Sequence, residues 1–430
     1  MPGREWRRCG RPPPEHILPP DPPQTGPLPQ SRMSTPDAQA RESLLRYVEE
    51  RAPDQVQFVI DLSHVNSYSW NKAGTDRVAS MVVERVASAF PVHRVVEQTE
   101  VGNLHLLTNT PEGKSIYLLA HLDTVFPPDH PFRECRVEGD RLHGPGTGDM
   151  KAGVATVVYA VQALEAVGLL NRIPLTLIFS GDEEVGAVTS RFVYESERQK
   201  ASACLVAEGA GRNGEVVVSR NGKIGARLDC SGRDQHVGAA ILDKASAILE
   251  MAHKTIALEA LNEALPGVRV NVGKVEGGLG PATIPASASA QIDIRWEDQT
   301  TRDPLVEMIL GATGREDLPG CRSLLTILNE RSAWPHTKGT QRLADLVKEA
   351  GAEIGQRIGQ EHRRGTSDSN FFGCAGIPTV DGIGPVCEGY HTAKEFVLIP
   401  SIRERTALLA SALVRIAEEL PSLTPTGGKS

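Results

Sequence analysis

Histidines and carboxylates gather in five short segments, each lying where an apolar run ends or where glycines cluster. In Leu118-Leu119-Ala120-His121-Leu122-Asp123, side chains two residues apart on an extended chain point the same way, which brings the Asp123 carboxylate beside the His121 imidazole. A carboxylate so placed fixes the tautomer of the ring and raises its basicity, as the partner of a metal-bound histidine does. A buried structural histidine would satisfy the same residues. Gly144-Pro145-Gly146-Thr147-Gly148-Asp149 puts an acid at the mouth of an apolar helix, where it serves equally as a helix N-cap or as a ligand. Asp182-Glu183-Glu184 follows an apolar strand directly, and three successive carboxylates repel one another unless water or a cation lies between them. The Gly-rich loop Gly382–Thr392 presents His391, and Glu208 closes the apolar run Ala203–Ala207. Taken one at a time, each segment has a structural explanation. Together they place two histidines and four or five carboxylates at strand ends, where open α/β sheets collect their ligands.

The elements that must deliver those ends follow from hydrophobic periodicity. Helices are expected over 39–60, 74–89 and 150–169, and strands over 102–109, 115–122, 175–179 and 203–207; strands interleaved with long helices imply a layered α/β sheet. The runs 115–122 and 175–179 are almost wholly apolar, as central strands covered on both faces are. Near Arg220 the pattern changes. Residues 222–230 alternate as a strand, and 239–252 set Ile241, Ala245, Ile248, Leu249 and Ala252 on one helical face. Strands at 268–275 and 286–296, a helix at 301–312 and a strand at 322–331 complete a β-α-β-β-α-β unit of about 110 residues, inserted within the chain. Helical periodicity resumes at 339–352 and 400–419.

Composition narrows the function classes. The net charge of -8 offers phosphate backbones and anionic lipid no overall attraction, so neither a nucleic acid nor a membrane is expected as a partner. The apolar stretch Ala152–Leu164 is far shorter than the roughly 20 residues a membrane-spanning helix needs. Seven scattered cysteines, none in a CxxC pair, fit free thiols in a reducing compartment, hence a cytoplasmic location. The first 32 residues hold ten prolines and almost no apolar periodicity, so residues 1–36 read as disordered, with Met33 a candidate functional start.

His121-Leu122-Asp123-Thr124-Val125-Phe126-Pro127, Gly148-Asp149-Met150-Lys151-Ala152-Gly153 and Asp182-Glu183-Glu184-Val185-Gly186, in that order, resemble the co-catalytic zinc metallopeptidase and deacylase family of glutamate carboxypeptidase, aminoacylase, succinyl-diaminopimelate desuccinylase and the aminotripeptidases. Gly365-Thr366-Ser367-Asp368, Gly376-Ile377-Pro378 and Gly389-Tyr390-His391 fit the same pattern, which runs over residues 40–420. The resemblance implies a discontinuous three-layer α/β catalytic domain with a mixed sheet (37–219 and 334–421), an inserted two-layer α+β, ferredoxin-like lid (220–333) and a tail (422–430). It implies two zinc ions, replaceable by cobalt or manganese, with Asp149 bridging them, His121 and Glu208 on one, and Glu184 and His391 on the other. Glu183 corresponds to the general base that takes a proton from the attacking water, and Asp123 stands behind His121. A cis peptide between Asp149 and Met150 also follows from the resemblance.

In the insert, Cys230-Ser231-Gly232-Arg233-Asp234-Gln235-His236 resembles the loop whose histidine stabilises the oxyanion, across the subunit interface in dimeric members; a homodimer through the lid is therefore expected. Arg295 and Arg331 have counterparts that would hold a substrate carboxylate, although each also reads as a strand-surface arginine. Ala282 stands where many relatives carry a substrate-holding asparagine. The expected activity is hydrolysis of an amide next to a free carboxylate, with a small peptide as substrate. An N-acyl amino acid deacylase is the nearest alternative. A metal-free binding subunit is the third, and the filled ligand set argues against it.

Overall fold

The computed structural model describes residues 35–239 and 244–423; the Pro-rich segment before residue 35, Ile241 and the tail beyond Leu423 lie outside them. Along the chain come helices α1 (Thr35–Glu50), α2 (Ala52–His64) and α3 (Lys72–Val83), then strands β1 (Val92–Val96), β2 (Gly102–Thr108) and β3 (Ser115–His121). Helix α4 (Ala152–Ala166), strand β4 (Leu175–Gly181), helix α5 (Ser190–Glu197) and strand β5 (Ala201–Val206) follow. The insert comprises β6 (Gly222–Ser231), α6 (Ala247–Glu259), β7 (Arg269–Gly277), β8 (Ser287–Trp296), α7 (Gln299–Gly314) and β9 (Arg322–Arg331). Helices α8 (Lys338–Glu353) and α9 (Ser369–Gly373), strand β10 (Thr379–Val380) and helix α10 (Ile399–Leu423) return to the first body.

The main sheet has the order β1-β2-β4-β3-β5-β10 and is mixed. The ladder joining β3 to β4 and β5 and that joining β5 to β10 are parallel, while β1 to β2 and β2 to β4 are antiparallel. Period-2 geometry divides the fully buried β3 between two cores. Ile116, Leu118 and Ala120 face α1, α2, α4, α8 and α10, whereas Tyr117 and Leu119 face the side held by Tyr194 of α5 and Phe371 and Phe372 of α9. This is the three-layer arrangement expected, and it explains why β3 reads as an unbroken apolar run. Each fully buried aliphatic side chain contributes about 1.5–3 kcal/mol, so Leu118→Ala at the centre would cost about 2–5 kcal/mol. Because β3, β4 and β5 run parallel, their carboxyl ends open on one edge, and His121, Asp182 and Glu208 lie at or just past those ends.

The insert forms its own antiparallel sheet, β7-β8-β6-β9, with α6 and α7 packed on one face, which is the ferredoxin-like topology. Its core joins Leu228, Met251, Val270, Ile292, Trp296, Leu305 and Ile309. The two chain crossings into it are tied together, Arg220 and Trp334 exchanging both backbone hydrogen bonds at 3.0 and 2.9 Å.

Two expectations need correction. The single helix over 39–60 is two helices that divide at Arg51, with Pro53 in the first turn of α2, where its missing N–H leaves no bond unmade. The helix expected over 239–252 is α6, and it turns a different face inward. Ser246 caps it by accepting the Leu249 N–H, Ala247, Met251 and Leu258 are buried, and Ile248 and Leu249 are exposed. The buried stripe is completed by Glu250 and Lys254, paired at 3.0 Å with Lys254 also 2.7 Å from Asp317, so two charges occupy positions that apolar periodicity assigns to solvent.

Candidate metal centre

Asp149 sits between two donor pairs. Its Oδ1 lies 3.0 Å from His121 Nε2, which is itself 3.6 Å from Glu208 Oε1. Its Oδ2 lies 3.2 Å from His391 Nε2, which is 3.1 Å from Glu184 Oε2. One carboxylate thus divides its oxygens between two histidine–glutamate pairs drawn from separate parts of the chain. The ligand atoms of His121, Asp149 and Glu184 all fall within 4.8 Å of one another, close enough to surround a cation.

Local structure explains each placement. His121 ends β3, and its Nδ1 meets the Asp123 backbone carbonyl at 3.1 Å. A carbonyl only accepts, so in the neutral ring Nδ1 carries the proton and Nε2 turns its lone pair towards Asp149 and Glu208. Asp149 leaves the helical region at φ -124 and ψ 92 and is joined to Met150 by a cis peptide, as the resemblance implies. It is not the N-cap of α4, which begins three residues later. A Cβ on Gly153 would come within 1.9 Å of the Ala207 carbonyl, so a glycine there lets α4 press onto the end of β5 beside Glu208. His391 adopts φ 60, a left-handed conformation uncommon outside glycine, directly after the Gly389-Tyr390 turn.

The three successive acids part company. Asp182 turns inward and accepts the Thr189 and Ser190 N–H groups at 2.8 and 3.0 Å, anchoring α5. Glu184 faces His391. Glu183 faces the insert, where Arg331 Nη1 approaches its Oε1 to 2.5 Å and Nη2 donates to its backbone carbonyl. Asp123 holds the pair from behind: its carboxylate accepts the N–H groups of Glu183 and Glu184 at 3.2 and 3.1 Å and the Ser69 hydroxyl at 2.6 Å. Its carboxylate is 3.4 Å from the His121 ring. It therefore ties down the backbone of the two glutamates while also standing beside the histidine, where sequence spacing placed it.

The electrostatics fit a cation. Burial and the Asp149 charge raise the Glu184 carboxyl to about 8 and push Glu208 well above its usual range. Hydrogen bonds to Asp149 and Glu184 raise His391 to about 11. Burial alone would raise Asp149, yet His121 and His391 hold it far below the carboxylate norm. Glu184 Oε1 is buried and without a hydrogen-bond partner. Crowded carboxylates, two imidazoles and an unpaired buried oxygen make a donor set suited to divalent metal.

The substrate-side expectations fare differently. Arg331, at the end of β9, is buried against Glu183 and lies 3.3 Å from Asp368 Oδ1. One cation serves two carboxylates there, and burial with the Glu183 charge pushes Asp368 up to about 7 despite Arg331. Asp368 is held by Tyr194 at 2.6 Å. Arg295 is occupied by Asp293 at 2.7 Å and by the Arg364 carbonyl. His236 is exposed, its Nδ1 accepting the Gly238 N–H at 3.1 Å, and among the described residues no contact joins it to the His121–Asp149 cluster. Ser69, Asp368, Tyr194 and Glu395 were not singled out from the sequence as working residues. An acid four positions after His391 was the one available signal for Glu395.

Fold and site together define a metallohydrolase. The chain belongs to the peptidase family M20/M25/M40, whose model matches residues 117–415. It is 26% identical over 309 residues to a carboxypeptidase G2 from Pseudomonas sp. (strain RS-16), covering 70% of this chain and 74% of that one. It is 28% identical over 349 residues to a succinyl-diaminopimelate desuccinylase from Sphingopyxis alaskensis, covering 76% and 89%. The fold matches an M20 family metallo-carboxypeptidase from Sulfolobus solfataricus with a TM-score of 0.66 at 18% identity, covering 84% of this chain and 99% of that one. It matches the di-peptidase Dug1p from Saccharomyces cerevisiae with a TM-score of 0.69 at 14% identity, covering 88% and 98%. No described helix is long and apolar enough to cross a membrane.

Proposed function

We propose that the protein is a two-metal carboxypeptidase that hydrolyses an amide next to a free carboxylate in a small peptide. The observation that carries the two-metal reading is the division of Asp149, one oxygen towards His121 and Glu208 and the other towards His391 and Glu184. These five residues would hold the pair, zinc by preference and cobalt or manganese as substitutes. When bound, such a pair polarises the scissile carbonyl and lowers the pKa of water. Glu183 takes the proton of the attacking water and returns it to the leaving amine. Asp123 keeps Glu183 and Glu184 side by side through their backbone N–H groups, so base and ligand stay in register.

Arg331 supports the carboxylate requirement. Its guanidinium occupies Glu183, and a substrate carboxylate offers it an alternative partner, so substrate arrival would free the base. Arg295 and His236 would join on closure of the lid (220–333) over the catalytic body (37–219 and 334–421). A homodimer through the lid is supported by Ile248, Leu249 and Ile256, exposed on the outer face of α6. A cytoplasmic location is supported by six free cysteines among the described residues.

The second reading is an N-acyl amino acid deacylase, favoured by the similarity to the desuccinylase. Metal-loaded protein assayed on dipeptides, folyl-type glutamates and N-acetyl amino acids separates the two. A tenfold or greater preference in kcat/KM for peptides is the expected outcome, and the reverse preference would replace the carboxypeptidase reading.

A further inference from the structure

Glu395 is fully buried, and its carboxylate makes no ion pair among the described residues. Its Oε1 accepts the N–H groups of Gly148 and Asp149 at 2.8 and 2.9 Å, and its Oε2 accepts that of Gly146 at 3.2 Å. Three backbone donors drawn from the four residues 146–149, Thr147 N–H turning away to the Gly144 carbonyl, point at one anion in a nest-like concavity that the left-handed Gly146 at φ 73 makes possible. A buried carboxylate with no cation in ion-pair contact is costly unless its hydrogen bonds are complete; here the backbone of the Asp149 loop supplies them, and the buried Lys151 adds attraction from beyond contact.

The other end of the residue is just as constrained. Glu395 N–H donates to the Thr392 carbonyl at 3.1 Å, and Thr392 N–H donates to the Gly389 carbonyl at 3.1 Å, closing the turn that carries His391. A Cβ on Gly389 would lie 2.5 Å from the Lys394 carbonyl, so this turn is pressed tightly against the residue before Glu395. The Gly146–Asp149 loop and the His391 turn, some 240 residues apart in sequence, are thereby joined through one side chain.

We infer that Glu395 is a positioning residue for the metal centre: by gripping the backbone of Gly146, Gly148 and Asp149 from the His391 turn, it sets the Asp149 carboxylate between the two histidine–glutamate pairs. This rests on the metal-centre reading above. Glu395 touches neither substrate nor metal and acts through Asp149. Outer partners of metal ligands characteristically change metal affinity by about 10–100-fold when altered.

The test uses the full chain with cobalt as the probe. Glu395→Asp keeps the charge but withdraws the carboxylate by one methylene, and Glu395→Gln keeps the length but turns an amide N–H₂ towards a backbone donor. Cobalt affinity by chelator competition, the cobalt absorption bands and the melting temperature of the metal-free chain are measured for all three proteins. Both variants are expected to lose about 10–100-fold in cobalt affinity and to shift the absorption bands, with the metal-free melting temperature close to the parent's. Cobalt affinity and bands equal to the parent's would overturn the inference while leaving the metal reading intact. So would failure of both variants to fold, since Glu395 would then be a folding residue. A parent that takes up no cobalt would instead defeat the metal-centre reading on which this inference depends.

Discussion

The two ends of the catalytic cleft are built on opposite principles. At the proposed metal end, Glu208, His121, Asp149, His391 and Glu184 come from five segments and already stand in a row with neighbours 3.0–3.6 Å apart. Backbone ladders fix that end: parallel strands deliver their carboxyl ends to one edge, and Asp123 and Glu395 accept main-chain N–H groups on either side of it. At the insert end, the residues expected to meet substrate are held by other partners or exposed. Arg331 grips Glu183, Arg295 grips Asp293, and His236 stands at the surface. The first end is pre-organised by covalent order and buried hydrogen bonds, whereas the second depends on where the lid lies. Binding that assembles the second end is where such a protein obtains specificity.

The sharpest way to break the comparison is to change neighbours that belong to different ends. Glu183→Gln leaves the donor set complete, so it should retain the parent's metal content while kcat falls by at least about 10²-fold. Glu184→Gln removes a ligand and should lower metal occupancy itself. Elemental analysis beside a rate assay separates them, and equal metal loss in both variants would show that Glu183 belongs to the metal end after all.

A smaller effect concerns Arg331. Amidating the substrate carboxylate should cost about 3 kcal/mol, roughly a hundredfold in kcat/KM, because Arg331 then has no third carboxylate to draw it off Glu183 and the base stays engaged. Arg331→Ala should erase most of that discrimination, and Arg295→Ala less of it. Equal turnover of free-acid and amidated substrates by the parent would remove the carboxylate from lid closure and favour a broader amidohydrolase.

Metal uptake should also depend on pH at the first end. His391 in the metal-free chain is raised to about 11 by Asp149 and Glu184, and a ligand imidazole must be neutral, so binding has to expel that proton. Affinity should therefore rise with pH, by up to about tenfold per unit for each proton released, until the proton is already lost near pH 11. The metal-free fold has the opposite slope. A histidine raised on folding contributes stability that is fully present below about 6.5, its unfolded value, and lost as the pH climbs through about 11. Calorimetry in buffers of different ionisation enthalpy counts the protons, and a count of zero at pH 7 would mean that His391 does not ligate.

The sequence was most legible where residue type alone narrows the choices. Histidines and acids at the ends of apolar strands have few structural uses in common, so a candidate cluster could be read from the residues, whereas its division into ligand pairs about Asp149 came only from the family resemblance. The insert's strands were legible from alternation, but its first helix was misjudged because Glu250 and Lys254 neutralise each other in the core, a pairing that no periodicity encodes. Partners distant along the chain left even less trace. Nothing near Arg331 announces Glu183, and nothing near Gly148 announces Glu395, because both contacts exist only once the insert and the His391 turn have folded back.

That buried pair tests the comparison with the least expected effect on the metal centre, since it carries charge in the insert without chemistry. Lys254 has no exposed surface and holds Glu250, Asp317 and the Arg315 carbonyl. Lys254→Met should destabilise the insert by about 3–5 kcal/mol, because Glu250 is then left buried without a cation. Glu250 also accepts the N–H groups of Asp317 and Leu318, so the residual charge cannot simply turn out to water. If the two ends are independent, metal content and metal affinity should stay within about twofold of the parent below the melting transition. Bound metal stabilises only the body that binds it, so adding metal should raise the later unfolding step of the variant and leave the insert's earlier step where it is. A single transition that shifts as a whole with metal would mean that the insert and the metal centre unfold together, and the pre-organised end would then owe its order to the lid as well.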